Sequence, residues 1–218
     1  WPFNHVLECG LGSPYAGWFH LDRERLASGR PLRAYPDDRS HGHADEPLGY
    51  AAWWGMPALP KLNTDNPHVR EFLFSVAEHW IRFGADGWRL DVAAEIDDDE
   101  FWREFRRRVK AIDPDAYIVA EVWHEEHRWL QGDQFDAYMN YPVGFAAVSF
   151  AAGTHRDERV IAQQGETSRN VHRDDAPTFA GRLHHALTTY APEINAVQLN
   201  LVDSHDTPRL RAICGGDD

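Results

Sequence analysis

The chain has 218 residues with an ordinary apolar fraction, which is enough to bury a core and argues against disorder. Its formal net charge of -13 at pH 7 argues against nucleic-acid and anionic-membrane partners, because both bind clustered lysine and arginine. The two cysteines form no CxxC pair, no apolar run reaches the roughly 20 residues that span a bilayer, and no signal-peptide pattern opens the sequence. We therefore expect a soluble protein, and a cytoplasmic location is favoured.

The first part of the chain, residues 1–66, has little periodicity and many Gly, Pro, Asp and His residues. This composition predicts long irregular structure or a small loop domain. The pattern then changes, because Asn66 can cap a helix and Pro67 suits its first position. We predict an amphipathic helix that ends at Gly84. Its apolar residues at helical spacing are Val69, Phe72, Val76, Trp80 and Phe83.

The rest of the chain alternates between strand and helix patterns. A strand over about 86–92 is followed by a helix whose first turn is acidic and whose last turn is basic, as the helix dipole favours. Its apolar face is formed by Phe101, Phe105, Val109 and Ile112. Further strands are predicted at 116–123, 135–141 and 196–204, with helices near 157–164 and 177–190. This alternation is typical of βαβ units around a parallel sheet.

Charged side chains recur where these predicted strands end. In "GWRLDVA" the alternation of an extended chain places Arg89 and Asp91 on one face. Glu121 falls near the end of the second strand, and His205 with Asp206 follows the fourth. Parallel α/β folds build their active sites at the carboxyl ends of their strands, so these residues are candidates for one site.

Three carboxylates at one end of a sheet fit the chemistry of a retaining glycosidase. Such an enzyme needs an ionised nucleophile and a protonated acid on either side of the scissile bond. Arg89 is predicted to keep Asp91 ionised, and apolar neighbours are expected to favour the protonated form of Glu121. Asp206 could stabilise the transition state or bind sugar hydroxyls, with His205 as a hydrogen-bond donor. Any one of these acids could instead cap a helix or form an ion pair, but the set together favours catalysis.

These segments resemble the sequence motifs of the alpha-amylase superfamily, glycoside hydrolase family 13. "GWRLDVAAEI" resembles the strand-four motif with its nucleophile at Asp91, and "AEVW" the strand-five motif with the acid/base at Glu121. "LVDSHDTPRL" resembles the strand-seven motif, which implies a sugar-binding His205 and a transition-state stabiliser at Asp206. "FNH" resembles the end of the strand-three motif, which implies that His5 contacts the sugar at the cleavage subsite.

A further motif, "LPKLN" at 59–63, resembles the one that marks neopullulanases, cyclomaltodextrinases and maltogenic amylases. This resemblance implies hydrolysis of α-1,4-glucosidic bonds in cyclodextrins, pullulan or maltooligosaccharides, with some α-1,6 cleavage or transglycosylation. Trp123 and His124 would flank the acceptor side. No cofactor is required, and calcium is not supported, because Ala94 and Glu95 replace the Lys-His that often follows the nucleophile. No metal site is predicted.

The implied fold class is α/β, a partial (β/α)8 TIM barrel from about the end of strand 3 to strand 7, with an irregular loop domain after strand 3. Residues 1–66 would form the end of strand 3 and the loop domain, and 67–218 the partial barrel. Strands 1, 2 and 8 have no counterpart in the chain. The expected partner is an α-glucan oligosaccharide, and self-association could cover the open edges of the barrel.

Two other functions remain open from the sequence. The 13 histidines and "HEEH" at 124–127 suggest a metallohydrolase. The zincin pattern, however, needs histidines four apart, and here they are three apart. Neither His41 with His43 nor His184 with His185 has a carboxylate or cysteine at ligand spacing. The second alternative is a catalytically incomplete module that only binds oligosaccharide on its tryptophan side chains.

Overall fold

The structure, a computed structural model, describes residues 1–34 and 47–216. The chain divides into two compact units, Trp1–Val76 and Ala77–Asp218. The division falls within the helix that the Asn66–Pro67 signal predicts, and this helix, α3, spans Pro67–Phe83.

The first unit contains short elements joined by irregular chain. Helix α1 spans Pro2–Cys9 and helix α2 spans Arg23–Ala27. Isolated antiparallel bridges connect Phe19 to Leu62, Leu21 to Tyr50 and Ala52 to Pro60. The sequence motif predicts that His5 lies at the end of a strand, but in the structure His5 lies within helix α1. Pro2 at the start of α1 suits a helix, because its missing N–H has no intrahelical partner there.

Helix α3 forms as predicted, but part of the predicted apolar face is wrong. Phe72 and Trp80 are each 47% exposed and Phe83 is 76% exposed. The buried residues of α3 are Val69, Phe74, Ala77 and Ile81. The segment carries apolar residues on more than one side, so spacing alone does not select the face. Within residues 1–34 and 47–216, no helix has the length and apolar character needed to cross a membrane.

The second unit is built on a four-stranded parallel sheet with the order β1-β2-β3-β4. Its strands are β1 Gly87–Leu90, β2 Tyr117–Ala120, β3 Ala137–Asn140 and β4 Leu199–Asn200. Its complete helices are α4 Asp99–Ile112, α5 Tyr141–Ala151, α6 Glu158–Ile161, α7 Gly165–Asn170, α8 Ala176–Thr188, α9 Pro192–Val197 and α10 Leu210–Ile213. The predicted parallel sheet of consecutive strands is therefore confirmed.

Helix α4 covers one face of the sheet. The Asp98 side chain caps it by accepting a hydrogen bond of 3.1 Å from the Phe101 N–H, and the predicted residues Phe101, Phe105 and Val109 are buried. The Trp88 ring of β1 lies edge-on to Phe105, with centroids 6.3 Å apart. Because side chains alternate along a strand, Arg89 points to the opposite face.

The opposite face packs against α5 and the helices that follow. The buried residues of this cluster are Val119, Ala137, Met139, Tyr141, Phe145, Val148, Ala152, Ile161, Val171 and Ile213. Gly144 lies in the middle of α5, which the sequence does not predict as a helix. A Cβ at this position would lie 2.2 Å from the Leu201 carbonyl oxygen. A glycine is needed there because α5 passes so close to the chain after β4.

All four strands are shorter than their predicted ranges, and the difference is largest for β4. β1 ends at Leu90 because the chain turns at Asp91 and Val92. The strand predicted over 196–204 is reduced to two residues, since helix α9 occupies the chain up to Val197.

A half-buried charge cluster ties α4 to the start of β3, and it gives a pH-dependent prediction. Asp136 accepts hydrogen bonds from Arg106 (2.7 Å) and the Ile118 N–H (2.9 Å), and Lys110 lies 3.1 Å away. Burial raises the pKa of Asp136, but these three partners outweigh burial and leave the pKa below its usual value.

We expect Asp136→Asn to lower the free energy of unfolding by about 2 kcal/mol at pH 7, because a charged acceptor is lost. A depressed pKa in the folded state contributes stability above the unfolded pKa of about 3.9, and this is lost as pH falls through the folded pKa. The difference between the variant and the parent chain should therefore shrink below about pH 4. Urea titrations from pH 3 to 7 measure it, with exposed Asp115→Asn as a control. A constant difference across this range would contradict the assignment.

Candidate active site

One guanidinium lies against two carboxylates at the carboxyl ends of β1 and β2. Arg89 Nη1 contacts Asp91 Oδ1, and Arg89 Nη2 lies 3.2 Å from Glu121 Oε2. Arg89 Nε also lies 3.4 Å from the Met139 sulfur of β3. The Glu121 side chain is 4% exposed, whereas the Asp91 side chain is 74% exposed. The arrangement thus combines one accessible acid and one buried acid beside a shared positive charge.

Glu121 is surrounded by hydrogen-bond donors. The Val92 N–H donates to Oε2 at 2.9 Å, and the Trp123 indole N–H donates to Oε1 at 3.0 Å. Glu121 therefore has polar partners besides the apolar residues that flank it in the sequence, and one of them, the Val92 N–H, comes from another segment. Both carboxylate oxygens of Glu121 are thus paired with an N–H donor.

Val92 has a left-handed backbone conformation, with φ 37° and ψ 49°. A β-branched residue seldom adopts this region, and holding one there costs about 1–3 kcal/mol. The same turn places the Val92 N–H on Glu121 and carries the chain away from the strand directly after Asp91. Backbone strain thus lies between the two candidate catalytic acids.

The third carboxylate, Asp206, lies in a turn after β4. Its Oδ2 atom is 2.9 Å from His205 Nε2, and its N–H donates to Ser204 Oγ at 3.1 Å. Ser204 Oγ also accepts a hydrogen bond of 3.2 Å from the Tyr141 hydroxyl. Sequence reasoning missed Ser204 and Tyr141. For Tyr141 a signal was present, since Asn-Tyr-Pro after a strand places a capping residue and a proline at a helix start.

Charged groups at both ends of the site influence the pKa of the Tyr141 hydroxyl. Burial raises the pKa of its hydroxyl, while the hydrogen bond to Ser204 lowers it. The negative charges of Glu121 and Asp206 also raise the pKa, and the positive charge of Arg89 lowers it. All three charged groups therefore lie within electrostatic range of one buried hydroxyl.

A cavity of about 340 Å³ lies beside these residues, and the Trp123 ring forms part of its wall. His124, Glu125 and His185 also line it. The Glu125 carboxylate lies 3.0 Å from His127 Nε2 and 2.8 Å from His185 Nε2, and these contacts lower its pKa. The cavity joins an aromatic wall to polar side chains, a combination common in small-molecule sites.

The predicted site residues lie in four places in the structure. Direct contacts bring Arg89, Asp91, Glu121 and Trp123 together. His205 pairs with Asp206, and His124 lines the cavity. His5 belongs to the first unit, where its Nδ1 atom lies 2.9 Å from Ser13 Oγ.

The metallohydrolase alternative would need a group of metal-binding side chains. Across residues 1–34 and 47–216, no three His, Cys, Asp or Glu side chains are grouped so that they could hold a metal ion. His41 and His43 lie outside the described residues. Within "HEEH", Glu125 contacts His127, and it also contacts His185 from helix α8.

Comparisons with known proteins support the same fold. The model of the family described as "Alpha amylase, catalytic domain" matches residues 13–218. The chain is 45% identical over 217 residues to a cyclomaltodextrinase of Geobacillus thermopakistaniensis, covering 99% of this chain and 31% of that protein. It is 39% identical over 216 residues to neopullulanase 2 of Thermoactinomyces vulgaris, covering 99% and 31%. The crystal structure of Ttha1563 from Thermus thermophilus superposes with a TM-score of 0.88 and 47% identity, covering 99% of this chain and 42% of that one.

The chain spans about a third of the length of these curated relatives. The predicted fold class, an α/β fold that forms part of a TIM barrel, is confirmed by the parallel sheet and by these matches. The motif-based assignment to the neopullulanase and cyclomaltodextrinase group agrees with the names of the relatives.

Proposed function

Because the chain belongs to the alpha-amylase catalytic-domain family, we propose that it carries the catalytic centre of a retaining glycosidase that hydrolyses α-1,4-glucosidic bonds. The observation that carries this proposal is the contact of Arg89 with both Asp91 and Glu121 at the ends of adjacent parallel strands. A retaining mechanism needs two carboxyl groups close together on opposite sides of one bond. Because Arg89 contacts both Asp91 and Glu121, these two carboxyl groups lie close together.

In the first step Glu121 gives its proton to the glycosidic oxygen, and the carboxylate of Asp91 attacks the anomeric carbon. The bond to the leaving sugar breaks, its oxygen keeps the proton, and a covalent glycosyl ester forms on Asp91. Arg89 contacts the Asp91 carboxylate and orients it for this attack. The accessible side chain of Asp91 suits a nucleophile that must reach substrate.

In the second step Glu121 acts as the base. Its carboxylate takes a proton from water, the water oxygen attacks the anomeric carbon, and the ester bond to Asp91 breaks. The Val92 and Trp123 N–H groups donate to the two oxygens of this carboxylate and orient it. Asp206 stabilises the positive charge that develops on the sugar ring in both steps, with His205 beside it.

The substrate class follows from the relatives and from the cavity. The proteins matched are named for cyclomaltodextrin, for pullulan and for maltose formation. We assign cyclodextrins, pullulan or linear maltooligosaccharides to this chain, with the acceptor side between Trp123 and His124. An aromatic ring beside polar side chains suits a sugar, which has apolar ring faces and hydroxyl edges.

The test is turnover by the chain itself. We expect new reducing ends from maltohexaose and from a cyclodextrin, and proton NMR should show the α-anomer as the first product, as retention requires. A first product with the β-anomer would contradict the retaining mechanism. Binding of maltohexaose without any turnover would instead support the oligosaccharide-binding alternative. Self-association stays a prediction from the sequence, and sedimentation of the same sample measures it.

A further inference from the structure

Tyr141 lies directly after β3, between the segments that carry Glu121 and Asp206. Its side chain is 2% exposed, and its ring lies flat on the Trp123 ring with centroids 3.8 Å apart and an interplanar angle of 7°. Its hydroxyl donates to Ser204 Oγ at 3.2 Å. One buried residue therefore contacts the chain after β2 and the chain after β4.

Both contacts lead directly to a candidate catalytic acid. On one side the Trp123 indole N–H donates to Glu121 Oε1 at 3.0 Å. On the other side Ser204 Oγ accepts the main-chain N–H of Asp206 at 3.1 Å. A continuous series of contacts thus runs from Glu121 through Tyr141 to Asp206, across the carboxyl ends of β2, β3 and β4.

The position of Asp206 needs such support because β4 is short. The strand has two residues, and residues 201–209 form no helix or strand. The Ser204 N–H donates to Thr207 Oγ1 at 2.8 Å, which fixes the turn internally but does not attach it to the sheet. The hydrogen bond from Tyr141 attaches the turn to the end of β3.

We propose that Tyr141 is a positioning residue that holds Asp206 relative to Glu121 through its hydrogen bond to Ser204 and its stacking on Trp123. This inference rests on the proposed function, in which the two acids act on one sugar. Tyr141 itself needs no contact with substrate for this role. Burial keeps the pKa of its hydroxyl raised, so it remains a hydrogen-bond donor at neutral pH.

The test uses Tyr141→Phe, which removes the hydroxyl and keeps the ring on Trp123, and Ser204→Ala, which removes the shared acceptor. Each should lower kcat about tenfold, the effect of losing roughly one hydrogen bond in the transition state, with KM changed less than about twofold. The double variant should be no slower than Ser204→Ala alone, because the removal of Ser204 Oγ already breaks the connection that Tyr141 makes. Effects that multiply in the double variant would overturn the proposal.

Tyr117→Phe is the matched control. Its hydroxyl donates to the Val197 carbonyl at 2.6 Å and links β2 to the chain before β4, near the amino ends of the strands. This control should lose a similar amount of thermal stability but keep kcat. If Tyr141→Phe and Tyr117→Phe lower kcat equally, Tyr141 has only a structural role and the proposal fails.

Hydrogen exchange separates this inference from the proposed function. If the parent chain shows no turnover, the proposed function fails, but NMR can still measure exchange of the Asp206 amide, whose N–H is bonded to Ser204. Its protection should fall in Tyr141→Phe and Ser204→Ala and remain in Tyr117→Phe. Unchanged protection in Tyr141→Phe would overturn the role of Tyr141 whatever the activity.

Discussion

Replacing Glu121 with glutamine is expected to lower kcat for maltohexaose by about 10²- to 10⁴-fold, the usual contribution of a general acid and base. Glutamine keeps the shape of the side chain, and its single amide oxygen can accept one of the two hydrogen bonds that the Val92 and Trp123 N–H groups donate to Glu121. It cannot give a proton to the glycosidic oxygen. The loss should therefore appear in kcat with the fold retained, as judged by circular dichroism and thermal unfolding.

The identity of the leaving group tests the role of Glu121 specifically. A maltosyl fluoride needs little protonation to release fluoride, so the first step should be largely restored in Glu121→Gln. The second step still lacks its base, and a covalent glycosyl-enzyme should accumulate and be visible by mass spectrometry. Glu126→Gln is the control, because Glu126 lies on the same loop and its side chain accepts a hydrogen bond from the Arg128 N–H. A first step that is slowed equally with both substrates would remove Glu121 from the acid role.

Replacing Asp91 with asparagine is expected to have an even larger effect. Without a nucleophile no covalent intermediate can form, and kcat should fall by about 10⁴-fold or more. A good leaving group should not restore activity in this variant, and no glycosyl-enzyme should be detected by mass spectrometry. This contrast with Glu121→Gln assigns the two roles separately.

The matched control for Asp91→Asn is Asp97→Asn, an exposed aspartate in the next loop that pairs with Arg128. It makes the same chemical change without touching Arg89 or Glu121. Restoration of Asp91→Asn by the fluoride would show that another group supplies the nucleophile. In that case the proposed order of bond formation would be wrong.

Local sequence patterns predicted most elements of the second unit. The helix from Asp99 to Ile112 has a capping aspartate, acids in its first turn and one apolar face, and all three signals agree. The helix from Pro67 to Phe83 has equally good end signals, but its aromatic residues lie on several sides. Which face is buried then depends on the elements that pack against it, and sequence spacing does not contain this information.

The candidate site was only partly predictable for a similar reason. The alternation of β1 places Arg89 on the same face as Asp91, and their contact follows from two residues in one segment. One donor to Glu121, the Val92 N–H, comes from the turn after β1, so it depends on how neighbouring strands align. Tyr141 looks like an ordinary strand residue until the helix start at Asn140 is recognised.

The order of the strands has a consequence for synthesis on the ribosome. Each strand pairs with the one made just before it, so no later strand must insert between two earlier ones. The sheet can therefore grow in the direction in which the chain emerges. Asp91 and Glu121 can meet early, whereas Asp206 joins them only after β4 has been made. A nascent chain that ends before β4 would hold the paired acids without the group that completes the catalytic centre.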